Sequence, residues 1–432
     1  MKNISVSFIA TVIIQLVTMV GGVLSARLLL PQGKGELTAI ILWPTLLASI
    51  GNLGIIDAVT YFTASNEKDI SKVAVSALVL LLALATGLLG IGYVILPFVL
   101  SEYDPSVLNT TKLYLIYIPI NLVALLLMAL ILGRMKLVEY NFLRTLVHLI
   151  SIAGMVLLYA INQVSVQGFA MASLIANFIT LVMAIGIVFR DKWIIWQPNV
   201  QIIKNLLGYG LKVHLGSITS LINLRFDQIL MSIFLPPTTL GLYVVAVTLS
   251  GGTSLAANTI GLVAFPHVAN LESLQAKKLA IARFMRLTIF LSLISTAGLF
   301  WLTPWILGFF FGPAYLSATW AARILLLASI PLSCNILLVA GFKAVNRPLV
   351  PSKAELISLG VTGISLWLLL PRYQAVGAAW ASLFAYSASC FFMIYALWRE
   401  LGLSPTTLFR PTMDDWIYVT HRLTHFINKV AL

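Results

Sequence analysis

Apolar segments of about 20 residues recur along this chain, and they constrain its fold because a helix of that length crosses the hydrocarbon core of a bilayer. Hydrophobic residues make up 60% of the 432 residues and charged residues 9%, whereas soluble domains are about 45–50% apolar. By length and composition we place about twelve spans, at approximately 6–28, 38–63, 73–100, 113–133, 142–161, 167–189, 211–235, 240–265, 285–311, 317–342, 353–371 and 375–398. The sequence therefore predicts an all-α polytopic membrane protein.

The net charge of +13 is spread unevenly over the predicted loops. With the N-terminus inside, the cytoplasmic loops contain most of the lysines and arginines, whereas the outer loops contain Lys34, Lys112 and Arg372. An excess of Lys and Arg in cytoplasmic loops is the positive-inside rule. We therefore predict a multi-pass protein of the inner (plasma) membrane with both termini cytoplasmic. The positive charge then reflects topology, and nucleic acid is not an expected partner.

Two pairs of similar segments indicate an internal repeat. Residues 29–36, which join the first two predicted spans, are similar to 234–241, which join spans seven and eight. Residues 59–65 are similar to 263–269 at nearly the same distance along the chain. Because six spans is an even number, both halves would run in the same sense across the membrane. Such a parallel repeat predicts a polar site between the halves near the bilayer midplane. The alternative is that any two apolar hairpins with a proline turn look alike.

The repeat divides the chain into two six-helix lobes. We predict an N-terminal lobe at 1–189, a cytoplasmic interfacial linker helix at 190–210 and a C-terminal lobe at 211–398. Residues 199–207 have apolar residues at helical spacing, as expected of a helix that lies along the interface. The cytoplasmic tail at 399–432 is predicted to contain a second interfacial helix.

Four charged side chains fall inside the predicted spans: Asp57, Arg225, Asp227 and Arg323. An ionisable residue at the centre of a bilayer costs about 2.5–3.5 kcal/mol even on lenient insertion scales. Such residues usually face the interior of a helix bundle or a watery cavity, where they bind an ion or a polar substrate. These positions are therefore the first candidates for a transport pathway.

The densest polar cluster lies in predicted span seven, where Asn223, Arg225, Asp227 and Gln228 fall within six residues. If the span is one straight helix, Arg225 lies within a few ångströms of the midplane. Side chains two apart on a helix point in nearly opposite directions, so Arg225 and Asp227 should contact different partners. The alternative to a functional role is that each makes a structural hydrogen bond between helices.

Arginines suit an anionic substrate, because a guanidinium stays charged and binds phosphate oxygens through two hydrogen bonds. We predict that Arg225 and Arg323 attract such a head group and that Arg27 lies at the outer mouth of the pathway. Alternatively, the long side chain of Arg27 reaches water at the interface. Asp57 or Asp227 would add proton or sodium coupling, and a structural pairing of Asp57 with a neighbouring cation remains open.

The motifs of several catalytic classes are absent from the sequence. It contains no glycine-lysine loop of the kind that cradles nucleotide phosphates and no His/Cys cluster with metal spacing. We therefore expect no catalytic residues, no metal and no cofactor, and a transporter rather than an enzyme.

Two segments of the chain resemble the polysaccharide-transporter family of lipid-linked oligosaccharide flippases. They are 25–31 with Gly33 and Gly35, and the stretch from 207 to 246 that includes Arg225, Asp227 and Gln228. That family belongs to a superfamily that also contains multidrug-and-toxin extruders and the peptidoglycan-precursor flippase.

The resemblance implies two six-helix lobes around a cavity that opens alternately to each side of the membrane. It implies sugars on a polyprenyl pyrophosphate as substrate, turned from the inner to the outer leaflet for O-antigen, capsule or exopolysaccharide biosynthesis. Besides this lipid-linked substrate and the bilayer, the expected partners are a polysaccharide polymerase and glycosyltransferases.

Two other functions stay open at the level of sequence. A cation-coupled drug or metabolite extruder of the same superfamily would have a cavity dominated by carboxylates, and here arginines are at least as numerous. A membrane glycan polymerase or ligase would need catalytic groups on a large outer loop. The longest predicted outer loop, 101–111, has only Glu102 and Asp104.

Overall fold

The structure is a computed structural model that describes residues 2–65, 70–190 and 196–410. These parts of the chain are helical and contain no strand, which confirms the predicted all-α class. The helices are α1 (Lys2–Gly51), α2 (Ile55–Ser65), α3 (Ile70–Val99), α4 (Pro105–Tyr114), α5 (Tyr117–Gly133), α6 (Leu137–Ala160), α7 (Val166–Arg190), α8 (Val200–Asn223), α9 (Phe226–Phe234), α10 (Pro237–Gly251), α11 (Ser254–Ala269), α12 (Leu274–Ile306), α13 (Thr319–Ala344), α14 (Leu349–Leu401) and α15 (Pro405–Phe409). A π-helical turn (Leu307–Phe311) and a 3-10 turn (Pro313–Ala318) connect α12 to α13.

The long helices are suited to a membrane. Among the described residues, eight helical segments are long and apolar enough to cross a bilayer, or nine if α10 and α11, which meet at 48°, form one span. Helices α1 and α14 each bend at one non-helical residue, at Leu30 (φ 60°) and Gln374 (φ 46°). Helix α14 therefore covers two predicted spans, 353–371 and 375–398, whereas α1 covers the first predicted span and the start of the second. The total of twelve spans stays a prediction.

Three predicted spans are interrupted among the described residues, contrary to the prediction of continuous helices, and one of them, 240–265, is broken between α10 and α11. The span predicted at 38–63 is broken because Leu53 (φ 48°) and Gly54 (φ 71°) adopt left-handed conformations between α1 and α2. The Asn52 side chain accepts a hydrogen bond from the Gly54 backbone N–H at 2.8 Å and stabilises this turn. The span predicted at 211–235 is broken between α8 and α9. Breaks of this kind free backbone polar groups, which membrane proteins tolerate where protein or water can satisfy them.

The chain forms two compact units. The first contains Met1–Val245 and Leu307–Ala318; within it α6 packs against α7 and α1, and α5 packs against α2 and α3. The second contains Ala246–Ile306 and the described residues from Thr319 onward. Within the second unit, α13 packs against α11, α12 and α14.

The predicted lobes and linker are only partly covered by the described residues. Helix α8 begins after the Asn199 cap, whose side chain accepts from the N–H of Gln201 at 2.8 Å, and runs through residue 210 without interruption. The end of the predicted linker and the start of predicted span seven are therefore one helix. The lobe limits stay a prediction, and the tail at 399–432 lies largely outside the described residues, which end at 410.

Candidate functional site

The polar cluster of the sequence lies at the break between α8 and α9. Helix α8 ends at Asn223, Leu224 follows it, and Arg225 caps the N-terminus of α9 with φ −122°. The prediction that Arg225 lies within a continuous helix is therefore wrong, because the backbone leaves helical geometry at this residue. Asn223, Asp227 and Gln228 are buried, whereas Arg225 is exposed. The break thus presents the arginine and buries its polar neighbours.

Asp227 is held by two donors. Its carboxylate accepts a hydrogen bond from the Tyr243 hydroxyl on α10 and one from the backbone N–H of Gln228 at 2.7 Å. It also lies in the first turn of α9, where the helix dipole stabilises negative charge. The buried carboxylate therefore ties α9 to α10.

Arg225 makes its hydrogen bond to a different residue, although its charge also acts on the Asp227 carboxylate. Its Nη1 donates to the side-chain Oε1 of Gln228 at 3.1 Å. Gln228 is a neutral acceptor, so this contact orients the guanidinium without neutralising it. An exposed, oriented guanidinium on a helix break is suited to bind an anionic oxygen.

Arg323 lies in the second turn of α13 in the other compact unit. Its Nε donates to the backbone oxygen of Phe300 at 3.2 Å. Its guanidinium carbon lies 4.9 Å from the centre of the Phe300 ring and 5.4 Å from that of Trp320. Arginine is stabilised over aromatic faces at such distances. These contacts connect α12 to α13 and give Arg323 a structural role whatever else it does.

Arg27 does not end a helix, because α1 continues past it to the bend at Leu30. Its side chain is exposed, and Nη1 donates to the backbone oxygen of Phe309 at 3.1 Å. The neighbouring Ala26 backbone oxygen accepts from the Tyr315 hydroxyl at 3.0 Å. Residues 307–318 thus fold back on α1, and Arg27 helps to hold them there.

Asp57 lies in the first turn of α2 and is exposed. It lies three residues after Gly54 of the left-handed turn. A carboxylate in this position is stabilised by the N-terminus of its helix. Asp57 can therefore stabilise the N-terminus of α2, and its role in ion coupling stays a prediction.

Two residues of this region were missed by the sequence analysis. Tyr243, the partner of Asp227, carries no signal in the sequence except that it falls in the stretch that resembles the flippase family. Lys34 was assigned to an outer loop, but it is only 9% exposed and its Nζ donates to Ser25 Oγ at 2.8 Å. The spacing of Pro31, Gly33 and Lys34 looked like a turn, whereas helix α1 resumes directly after Leu30.

Comparison with known protein sequences identifies relatives. The signature of the family described as "Polysaccharide biosynthesis protein" matches residues 1–272. An uncharacterised membrane protein of Methanocaldococcus jannaschii is 29% identical over 202 residues, which cover 46% of this chain and 40% of that protein. The match therefore spans less than half the length of that relative.

Comparison with solved structures identifies the fold. It is similar to the lipid II flippase MurJ in an inward closed conformation, with a TM-score of 0.78 and 14% identity over 90% of this chain and 86% of that one. An inward-facing multidrug resistance MATE family transporter of the MOP superfamily gives a TM-score of 0.71 and 14% identity, covering 91% and 96%. The eukaryotic MATE transporter AtDTX14 gives 0.64 and 11%, covering 93% and 97%.

These findings agree with each other and with the resemblance carried by the two sequence segments. The family signature covers more than half of the chain, and the fold is that of MOP-superfamily transporters over nearly its whole length. The prediction of family from 25–35 and 207–246 is confirmed. The chain is a multi-pass membrane protein that belongs to the polysaccharide biosynthesis protein family.

Proposed function

We propose that this protein is a flippase that moves polyprenyl-pyrophosphate-linked oligosaccharides from the inner to the outer leaflet of the cytoplasmic membrane. The family supports a role in polysaccharide biosynthesis, and the likeness to MurJ supports movement of a lipid-linked precursor. The observation that carries the proposal is the exposed Arg225 on a helix break, oriented by neutral Gln228. An anionic head group requires such a cation, whereas an uncharged substrate does not.

Arg225 is the residue we propose to contact the pyrophosphate. Its guanidinium offers a fork of donors that matches phosphate oxygens. Gln228 orients it, and Asn223 and Gln228 stay proposed cavity residues, although both are buried here. Arg323 and Arg27 remain proposed contacts of the same substrate, although each also has a structural partner.

The membrane potential can drive this transport. Moving one negative charge outward across an inside-negative membrane releases about 2.3 kcal/mol per 100 mV. A pyrophosphate head group therefore needs no further energy source to be exported. Asp227 and Asp57 are the proposed sites if a proton or sodium ion is coupled as well.

The second candidate function is a cation-coupled extruder, which the buried carboxylate of Asp227 favours. In the MATE-like fold, such a group would exchange a proton or sodium ion for a cationic substrate. In this chain the carboxylate already accepts two hydrogen bonds, which a bound ion would have to replace. We therefore prefer the flippase.

The two functions are separated by one reconstitution experiment. Purified protein in liposomes would be supplied with a fluorescent oligosaccharide on polyprenyl pyrophosphate, and leaflet exchange would be measured by quenching from outside. We expect exchange above that of empty liposomes, accelerated by an inside-negative potassium diffusion potential. Absence of exchange, together with proton- or sodium-driven movement of a cationic dye, would assign the extruder function instead.

A further inference from the structure

Segments 29–36 and 234–241 of the first compact unit each contain a prolyl turn that leads into a helix, and the helical residues after the two turns meet through a reciprocal pair of glycines. A Cβ atom built on Gly35 would fall against the backbone oxygen of Pro237, and 3.0 Å from the backbone nitrogen of Gly241. A Cβ atom built on Gly241 would fall against the backbone oxygen of Pro31, and 2.9 Å from the backbone nitrogen of Gly35. Each glycine thus contacts the proline that lies four residues before the other glycine. This exchange of equivalent partners is the pattern of a two-fold contact.

The contact requires glycine on both sides. Both backbones approach so closely that any side chain at either position would collide with a carbonyl that cannot move without its helix. The turns are the two segments, 29–36 and 234–241, whose similarity suggested a repeat. On the predicted topology both lie at the outer side of the membrane.

A buried cation lies directly beside this contact. Lys34 precedes Gly35, is 9% exposed, and its ammonium donates to the hydroxyl of Ser25, which is 1% exposed. The Ser25 hydroxyl in turn donates to the backbone oxygen of Gly21 at 2.8 Å. The partner of the lysine is therefore a neutral group rather than a carboxylate. Burial of an ammonium is costly unless an opposite charge compensates it.

We propose that Lys34 is a second binding site for a phosphate or pyrophosphate group, covered while the two turns are in contact and open to ligand when they separate. Separation of Gly35 from Gly241 would expose the ammonium, and an anionic ligand would supply the charge that Ser25 does not. The site rests on the proposed function in its ligand class. It adds a second place for the head group, which the predicted topology puts at the outer side of the membrane.

The first test measures whether the glycine contact covers Lys34. A Lys34→Cys variant would be labelled with a charged maleimide, with wild-type protein as background because its Cys334 and Cys390 are buried. We expect slow labelling, and at least about a fivefold increase when Gly35→Ala or Gly241→Ala is added. Gly90→Ala is the matched control, because a Cβ there meets nothing within 4 Å. Equal labelling in all four backgrounds would overturn the covering contact.

The second test measures binding of the anion without transport. Labelled short-chain polyprenyl pyrophosphate would be titrated into the Gly35→Ala protein and into the same protein carrying Lys34→Gln. We expect about tenfold weaker binding without the ammonium, since charge-assisted hydrogen bonds to phosphate are among the stronger ones. Ser25→Ala should leave binding within about twofold, because the charge remains. If Ser25→Ala and Lys34→Gln weaken binding equally, Lys34 only holds the bend and the proposal fails.

Competition distinguishes the source of the anion. Displacement by inorganic pyrophosphate as well as by the lipid indicates a site for the phosphate group itself, whereas displacement by the pyrophosphate lipid alone indicates a site for the lipid-linked form. Displacement by uncharged polyprenol would show that charge is not recognised and would overturn the site. Since none of these measurements needs leaflet exchange, loss of this site and failure of the flippase function are separate results.

Discussion

Arg225 and Arg323 are both arginines within predicted membrane spans, but their contacts differ in kind. Arg225 is exposed on a helix break and donates to one neutral side chain. Arg323 is half-buried, donates to a backbone carbonyl and lies over two aromatic rings. The first is oriented but still able to bind an anion, and the second is already engaged in joining two helices. A charged residue in a predicted span can therefore belong to a binding site or make a structural contact between helices. Its hydrogen-bond and aromatic partners distinguish the two roles.

Asp227 is a third charged residue for this comparison, because it is buried and accepts two hydrogen bonds. Replacing it with alanine removes the hydrogen bond from the buried Tyr243 hydroxyl, so we expect a loss of about 1–3 kcal/mol in stability. The thermal unfolding midpoint of the purified protein in detergent measures this. Asp227→Asn, which keeps an acceptor, should lose less.

A double-mutant cycle tests whether this loss comes from the link between α9 and α10. Asp227→Ala and Tyr243→Phe should together destabilise the protein less than the sum of their separate effects, with a coupling of about 1 kcal/mol or more. Additive effects would show that the hydrogen bond contributes nothing to the stability of the fold.

Arg323 should have the next largest effect on stability. Arg323→Leu retains an aliphatic side chain but removes the hydrogen bond to Phe300 and both cation–π contacts. We expect a loss of about 1–2 kcal/mol in stability. Arg399→Leu, at the exposed end of α14, is the matched control and should change the unfolding midpoint little. Abolished transport with an unchanged midpoint would instead make Arg323 a substrate contact.

Arg225 should have the smallest effect on stability. Arg225→Ala removes an exposed side chain with one hydrogen bond to Gln228, so we expect a change of no more than about 0.5 kcal/mol. A drop in the unfolding midpoint as large as that of Arg323→Leu would place Arg225 among the structural arginines. The proposed difference between Arg225 and Arg323 would then be contradicted.

The sequence predicted the helical membrane class, the family and the polar cluster at 223–228, because these depend on composition and local order. It did not predict where helices bend. Apolar length alone cannot detect that Leu30, Leu53 and Gln374 adopt positive φ, since these residues rarely do so. The break at Leu224 and Arg225 was also missed, because the length of the segment 211–235 fits a single continuous span.

Contacts between distant segments were also beyond the sequence. The pairing of Asp227 with Tyr243 depends on the angle at which α9 meets α10, and the burial of Lys34 depends on the course of α1 after its bend. The resemblance of 29–36 to 234–241 indicated related turns but not that Gly35 and Gly241 face each other. The order of residues in one sequence does not show which distant backbones pack this closely.

The most direct test of the account is the rate of leaflet exchange of a polyprenyl-pyrophosphate oligosaccharide by the Arg225 variants in liposomes. Arg225→Ala should lower the rate at least about tenfold at an unchanged unfolding midpoint, because a charge-assisted contact to the head group is lost. Arg225→Lys should retain a measurable part of it, and Arg399→Ala should match the wild type. Full activity of Arg225→Ala would contradict the claim that this arginine binds the anionic head group.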